Sequence, residues 1–375
     1  MKKRVKENCI KGKSTPALII LMASAPSWST PDIEGRVMLD YHLYEGVHND
    51  NEPGSEWLIR RARLGVEHSE GNWEGALEVE FDNEERSVEI KNANLTYEGW
   101  ETVKVAIGKM KEPFSLEKRT SSLDISTLER SMVTDWFSPG RSIGAVVTEE
   151  RSGYNWSAGM FRASEDEHGL DTYAATGQAA LSPVNRPGAV VHLGISASVR
   201  DLDGDAREAN EPMEIPPGNK IIETPEISLD DVASFSLEGA LVAGPWSLQA
   251  EWLTQKSSGY LGEAVTLQDY DFSGYYVLGS YFLTGESRVY DGGSFDRPDP
   301  LGTSGAWELV ARYGQIDLTD VAGGTFAESV LVGVNWYINE NAKVAANLSV
   351  ADVEGSNSDE SGRGEAFSLR WQYEF

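Results

Sequence analysis

The stretch AFSLRWQYEF (366–375) sets Phe367, Leu369, Trp371, Tyr373 and Phe375 against Ser368, Arg370, Gln372 and Glu374. Alternation at period two marks an extended strand with one apolar and one polar face. The rest of the chain repeats this pattern. Val37, Leu39, Tyr41 and Leu43 alternate with Arg36, Met38, Asp40, His42 and Tyr44, and Leu77, Val79 and Phe81 oppose Glu74, Ala76, Glu78 and Glu80. Near the end, Val344, Ala346, Leu348 and Val350 oppose Lys343, Ala345, Asn347 and Ser349. Almost nothing repeats at the helical period.

About sixteen such segments can be marked: 35–46, 57–69, 72–82, 88–98, 101–109, 141–149, 153–162, 171–180, 188–200, 231–243, 245–255, 273–284, 305–316, 327–338, 341–351 and 365–375. Most approach the ~9–11 residues that a tilted strand needs to cross a bilayer. An all-β fold follows, an antiparallel transmembrane β-barrel whose alternating faces dilute the average hydropathy to polar. A soluble β-sandwich or β-solenoid also alternates, but it needs one interior of interlocked apolar faces, whereas here the polar faces hold many charges.

The connections give an independent check, because such barrels pair short turns at one end with long loops at the other. With both chain ends on the turn side, the tight connections at Glu70-Gly71, Glu98-Gly99, Gly244-Pro245 and Asn339-Glu340 fall on turn positions. The long ones near 110–140, 200–231, 256–272 and 352–364 fall on loop positions. GESRVYDGGSFDRPDPLGTSG (285–305) breaks the rule, being long where a turn is expected. It either hides a further strand or is an elaborated turn. Trp73, Trp100, Trp156, Trp246, Trp307, Trp336 and Trp371 lie near segment ends, as an aromatic girdle at the membrane interface would require.

The N-terminus reads as an export signal over residues 1–25, with residues 26–375 forming a single barrel domain. Lys2, Lys3, Arg4, Lys6, Lys11 and Lys13 precede a short apolar run, Ala17 to Met22, and Ala23-Ser24-Ala25 supplies small residues for cleavage. The run falls short of the ~20 residues of a membrane helix. The single cysteine, Cys9, lies inside this segment, so the mature chain would carry no disulfide.

Specific motifs stand in VKVAIGKMKEPFSLEKRTSSLDISTLERSMVTDWFSPGRSIGAVV (103–147): Gly108 with Lys111, Pro113 and Phe114, then Thr120-Ser121-Ser122, Glu129-Arg130-Ser131 and Pro139-Gly140-Arg141. With IRRARLGVE (59–67), GYYVLGSYFLTGESRVY (274–290) and GAWELVARYG (305–314), the chain resembles the phosphate-selective porin O/P family. The resemblance implies a sixteen-stranded, trimeric porin in the outer membrane of a Gram-negative bacterium, in contact with its lipid, with the long third outward loop folded into the lumen. It implies passive diffusion of small anions, phosphate or polyphosphate, with no cofactor, no metal and no nucleic-acid partner. The terminal Phe375 resembles the signal by which such barrels are recognised for assembly. Residues 110–140 suit the inserted loop, since Phe114, Leu116, Leu123, Ile125, Leu128, Trp136 and Phe137 are anchors that a freely solvated loop would not need.

An anion pore needs fixed positive charge at its narrowest point, where donors replace the lost hydration. Arginine suits phosphate through its paired planar donors. Lys109, Lys111, Lys118, Arg119, Arg130 and Arg141 surround the expected loop, and Arg61 and Arg63 fall on the lumen side of their strand. Arg60 should face outward by strict alternation, at a cost of ~2–4 kcal/mol near the midplane; a bulge or an interfacial height would resolve it. Each cation could instead be an ordinary solvated or paired charge, with Glu112, Glu117, Asp124 and Glu129 nearby.

The net charge of −28 opposes an easy anion reading, and loss of residues 1–25, with six basic residues and one acid, would leave the chain about five charges more negative. A non-selective or cation-preferring pore on the same scaffold is therefore the alternative. An outer-membrane enzyme built on Asp40 and His42 with a nearby serine has no nucleophile motif behind it. Asp201, Asp203 and Asp205 lack the glycine placement and closing glutamate of a calcium loop, and the five histidines lack zinc-site spacing.

Overall fold

The computed structural model describes residues 30–82, 86–163, 172–207, 210–262, 264, 266–355 and 361–375, so the expected signal segment lies outside the described residues. Sixteen antiparallel strands close in chain order. The first eight are β1 (Asp32–Gly46), β2 (Gly54–Glu70), β3 (Trp73–Asp82), β4 (Ser87–Tyr97), β5 (Val103–Lys111), β6 (Arg141–Arg151), β7 (Tyr154–Arg162) and β8 (Tyr173–Arg186). The second eight are β9 (Ala189–Arg207), β10 (Ile227–Ala243), β11 (Trp246–Leu261), β12 (Gln268–Phe282), β13 (Ala306–Asp317), β14 (Phe326–Tyr337), β15 (Ala342–Glu354) and β16 (Gly362–Glu374). Each coincides with one of the expected segments.

The seam explains the closing stretch of sequence. β16 pairs with β1 from Glu374 opposite Arg36 to Gly364 opposite Gly46. The backbones of Gly35 and Phe375 exchange bonds of 2.8 and 3.0 Å. Hydrocarbon offers no alternative partner for these backbone groups, so the sheet must close. Side chains sort accordingly: Val37, Leu39 and Leu43 are exposed on the outer face, whereas Met38, Asp40 and His42 are fully covered within.

At the turn end, aromatic pairs ring the outer face. Trp73 packs on Tyr97 at 4.8 Å between centroids, Trp246 on Tyr281 at 4.2 Å, and Trp307 on Trp336 at 5.3 Å. At the loop end β9 and β10 outrun their expected limits, with Asp205 still paired to Leu229. Alternation gave no sign of this extension, because above the lipid a ladder needs only its backbone bonds.

Residues 112–140, between β5 and β6, turn into the barrel as the motifs implied. They form two short helices, α1 (Leu116–Arg119) and α2 (Met132–Phe137). The hydroxyls of Ser115 and Ser131 cap them by accepting from the Lys118 and Val133 amides. Phe114, Leu116, Leu123, Ile125, Leu128 and Phe137 are all buried. The wall holds the loop through its carbonyls: Lys343 Nζ donates to Ile125 O at 2.9 Å, Asn335 Nδ2 to Ser126 O at 2.7 Å and Gln372 Nε2 to Leu123 O at 3.0 Å. From β11 the Glu251 carboxylate accepts the Leu116 and Glu117 amides at 3.0 and 2.8 Å.

The long connection 283–305 is an elaborated turn, not a seventeenth wall strand. Val289–Asp291 pairs only with Ser294–Asp296, outside the barrel sheet. This hairpin enters the lumen from the turn end, burying Tyr290 and Phe295 in one cluster with Leu116, Val190 and Val242. Tyr290 Oη lies 2.6 Å from His192 Nδ1, and the Phe295 amide donates to Thr120 Oγ1 at 3.3 Å.

The outer face can be tested directly. Leu348, midway along β15, is 57% exposed. Leu348→Lys is expected to destabilise the barrel by about 2–4 kcal/mol in lipid vesicles, read from urea unfolding.

Candidate functional site

Between the inserted loop and the wall made by β1 to β6 lies a cavity of about 790 Å³. Arg61, Arg63, Lys109, Lys111, Lys118, Arg119, Arg130 and Arg141, the eight cations singled out from sequence, all line it. Three further cations join them that the sequence reading did not count: Arg36, Arg60 and Lys91.

Two of the three arrive by the same device. β1 and β2 pair Met38 with Arg61 but Leu39 with Ile59, so Arg60 is an extra residue. Strict alternation, which would aim it outward, fails there because a bulge adds a residue without a partner and restarts the phase. Arg60 instead grips Glu129 of the loop, with Nε and Nη2 at 2.8 and 3.0 Å from its two oxygens. β3 and β4 pair Glu78 with Asn92 but Val79 with Ile90, which frees Lys91 in the same way. Its Nζ lies 2.9 Å from Glu80 and 2.5 Å from Glu89. The signal in the sequence was a doublet of polar residues, Arg60-Arg61 and Lys91-Asn92, each interrupting an otherwise regular alternation.

The cavity lining holds eleven cations against five carboxylates, Glu78, Glu80, Glu89, Asp135 and Glu211. Much of the wall charge is paired. Arg36 meets Glu78 at 2.8 Å, Arg63 meets Glu80 at 2.8 Å and Glu78 at 3.2 Å, and Lys118 meets Asp135 at 3.2 Å. Lys109 stands 3.9 Å from Glu89, and Arg141 stands 3.9 Å from Glu78 while donating to Asn92 at 3.2 Å.

Lys111, Arg119 and Arg130 are held differently, by backbone carbonyls. Lys111 donates to Lys118 O at 2.7 Å, Arg119 to Gly292 O at 2.7 Å, and Arg130 to Thr120 O at 2.7 Å and Glu117 O at 3.0 Å. A carbonyl dipole fixes the side chain without an ion pair, and among the described residues none of the three forms a salt bridge with a carboxylate. In addition, Nη1 of Arg61 and Nη1 of Arg119 are buried without a hydrogen-bond partner among the described residues.

The loop is clamped where the charges meet. Glu129 accepts from Arg60, lies 3.8 Å from Arg61 and takes a 2.5 Å bond from Arg370, whose Nε and Nη2 also hold Asp40 at 2.7 Å. Burial alone would raise the Glu129 carboxyl, but Arg60, Arg370 and Arg61 outweigh it and hold it well below the usual carboxylate range. Its clamp is therefore present at neutral pH and lost only as pH falls through that depressed value. Asp40 and His42 do lie beside a serine, with His42 Nδ1 2.7 Å from Ser368 Oγ and Nε2 3.4 Å from Asp40. All three are buried and Asp40 has both oxygens on Arg370, which makes the trio a brace of the wall.

The inserted turn sets one pore cation. Gly293 has φ +86°, and a Cβ there would fall 2.8 Å from Arg119 Nη2 and 2.7 Å from Asn155 Nδ2. Gly293→Ala is expected to shift Arg119 and weaken block of the current by phosphate about tenfold or more, the ~1.5–3 kcal/mol worth of one charged hydrogen bond, as read from single-channel titration. Glu129→Gln leaves buried arginines unpaired, and is expected to cost about 3–5 kcal/mol and open the loop to limited proteolysis.

Residues 32–375 match the family model described as Phosphate-selective porin O and P. Porin O of Pseudomonas aeruginosa is 28% identical over 393 residues, which cover 91% of this chain and 87% of that protein. An uncharacterised protein of Caulobacter vibrioides is 28% identical over 347 residues, 86% of this chain and 69% of its own. Among solved structures, OprB of Pseudomonas putida superposes with a TM-score of 0.61 at 9% identity, covering 92% of this chain and 94% of that one. The outer membrane channel DcaP of Acinetobacter baumannii gives 0.60 at 11%, with 92% and 97% covered. OmpT of Vibrio cholerae in its trimer form gives 0.58 at 14%, with 92% and 99% covered. At these identities the three structures speak for the fold alone.

Proposed function

The chain belongs to the phosphate-selective porin O and P family of outer-membrane channels, and we propose from that premise that the basic cavity is its selectivity site, passing phosphate and related small anions. One observation carries the reading: Arg119 and Arg130, beside Lys111, present guanidinium charges fixed by carbonyls at the cavity flanking the inserted loop. An entering phosphate exchanges water for charge-assisted donors there. The overall acidity, −28, weighs less than these contacts, since charges farther apart than ~8 Å are largely screened at physiological ionic strength.

The remaining expectations fit this reading. Residues 1–25 act as the export signal, the chain assembles as a homotrimer like the trimer form of OmpT, and transport is passive diffusion without chemistry on the solute. A cation-preferring pore on the same scaffold would need the carboxylates of the lining to dominate, and they are outnumbered.

Bilayer recordings decide it. In a salt gradient the reversal potential should have the sign of an anion channel, and phosphate should block chloride current. Arg130→Ala is expected to weaken that block about tenfold or more, given ~1.5–3 kcal/mol for a hydrogen bond to a charged group. A cation-selective reversal potential would overturn the reading.

A further inference from the structure

Beside the basic cavity lies a second chamber of about 390 Å³, and Asp135, Gly140, Arg141 and Glu211 line both. The two spaces are therefore neighbours across the end of α2, but their chemistry differs. Where the first is crowded with cations, the charges of the second nearly cancel: Arg141 and Arg200 against Asp135 and Glu211, with Arg200 also ion-paired to Glu112.

What remains is a set of hydroxyls and an amide on an apolar frame. Ser138, Ser234, Ser257 and Gln255 supply the polar groups, and Phe137 and Phe272 supply flat apolar faces. Ser138 is only 8% exposed, yet its Oγ has no hydrogen-bond partner among the described residues. That hydroxyl is covered by protein, so the polar contacts left to a ligand are those of Ser234, Ser257 and Gln255, of which Gln255 Nε2 already donates to Ser257 Oγ at 2.9 Å. Hydroxyls and an amide beside aromatic faces suit a molecule with alternating C–H and O–H groups, and the volume falls within the usual range for small-ligand sites. Inorganic phosphate needs neither feature.

Resting on the anion reading of the basic cavity, we propose that this porin also admits phosphate monoesters of small polyols. The phosphate sits among the cations near Arg141, and the polyol occupies the neighbouring chamber. The second chamber thus selects on the part of the solute that carries no charge.

The test uses the purified full-length protein in planar bilayers, with chloride current blocked by inorganic phosphate, by glycerol 3-phosphate, or by free glycerol as the uncharged control. The ester should block at about threefold to tenfold lower concentration than inorganic phosphate, as one or two added hydrogen bonds would give, and glycerol should not block. Ser257→Leu, which fills the chamber, should abolish the ester's advantage and leave inorganic phosphate block unchanged. Ser234→Ala removes a hydroxyl without adding bulk, and should lower the advantage about threefold. Equal block by ester and phosphate in the parent protein, or a Ser257→Leu effect equal on both, overturns the polyol assignment while leaving the anion site standing. Absence of block by either phosphate compound overturns both.

Discussion

In hydrocarbon an unpaired backbone amide has no water to turn to, and each costs several kcal/mol. The rest of the molecule follows from that constraint. Sixteen strands must close into a ring, the ring fixes a register, and the register sends alternate side chains to lipid and to the lumen. The bonds between Gly35 and Phe375 complete this ring, and the aromatic side chains of β16 face out because their neighbours Ser368, Arg370 and Gln372 must face in.

Once an interior exists, it has to be filled or left as a path. On one side the inserted loop is stitched to β13–β16 through its own carbonyls, and the turn hairpin rises to meet it with Tyr290 and Phe295. On the other side a cavity opens toward the wall of β1 to β6, which touches the loop through Arg60 and Lys111, and the cations stand there. Using carbonyls as partners serves two ends. They hold the loop to the wall, and they hold Lys111, Arg119 and Arg130 without spending their charge. In the proposed site, preference of a strongly acidic chain for anions rests on the cations held outside ion pairs, since total charge acts only through a screened solvent.

Most of the fold was legible because period two, in Leu77-Glu78-Val79-Glu80 for example, is a direct imprint of two environments. The lumen side of Arg61 and Arg63 was legible for the same reason, and the place of the other six cations along the cavity followed from the loop's position, taken from its motifs. Lys91 was not, and the bulge at Arg60 was only one of two alternatives, because a bulge is a property of two paired strands and leaves in each one only a polar doublet. The turn hairpin escaped as well. Its strands have three residues each, too few for a period, and Tyr290 and Phe295 look in sequence like interface aromatics when they are packed against the loop. The proposed polyol chamber had no sequence signature at all, since its lining is drawn from α2, β6, β9, β10, β11 and β12.

Thiol mapping of β2 tests the central claim most directly, because the single native cysteine, Cys9, lies far from the barrel in sequence and can be replaced. Cysteines placed one at a time from Ile59 to Leu64 in the vesicle-embedded protein would be probed with a water-soluble, membrane-impermeant reagent. The register predicts reaction at Arg60, Arg61 and Arg63 and protection at Ile59, Ala62 and Leu64, a period of two that slips once at the bulge. Unbroken alternation, with the Arg60 position protected and Ile59 reactive, would contradict the register and with it the charge arrangement of the pore.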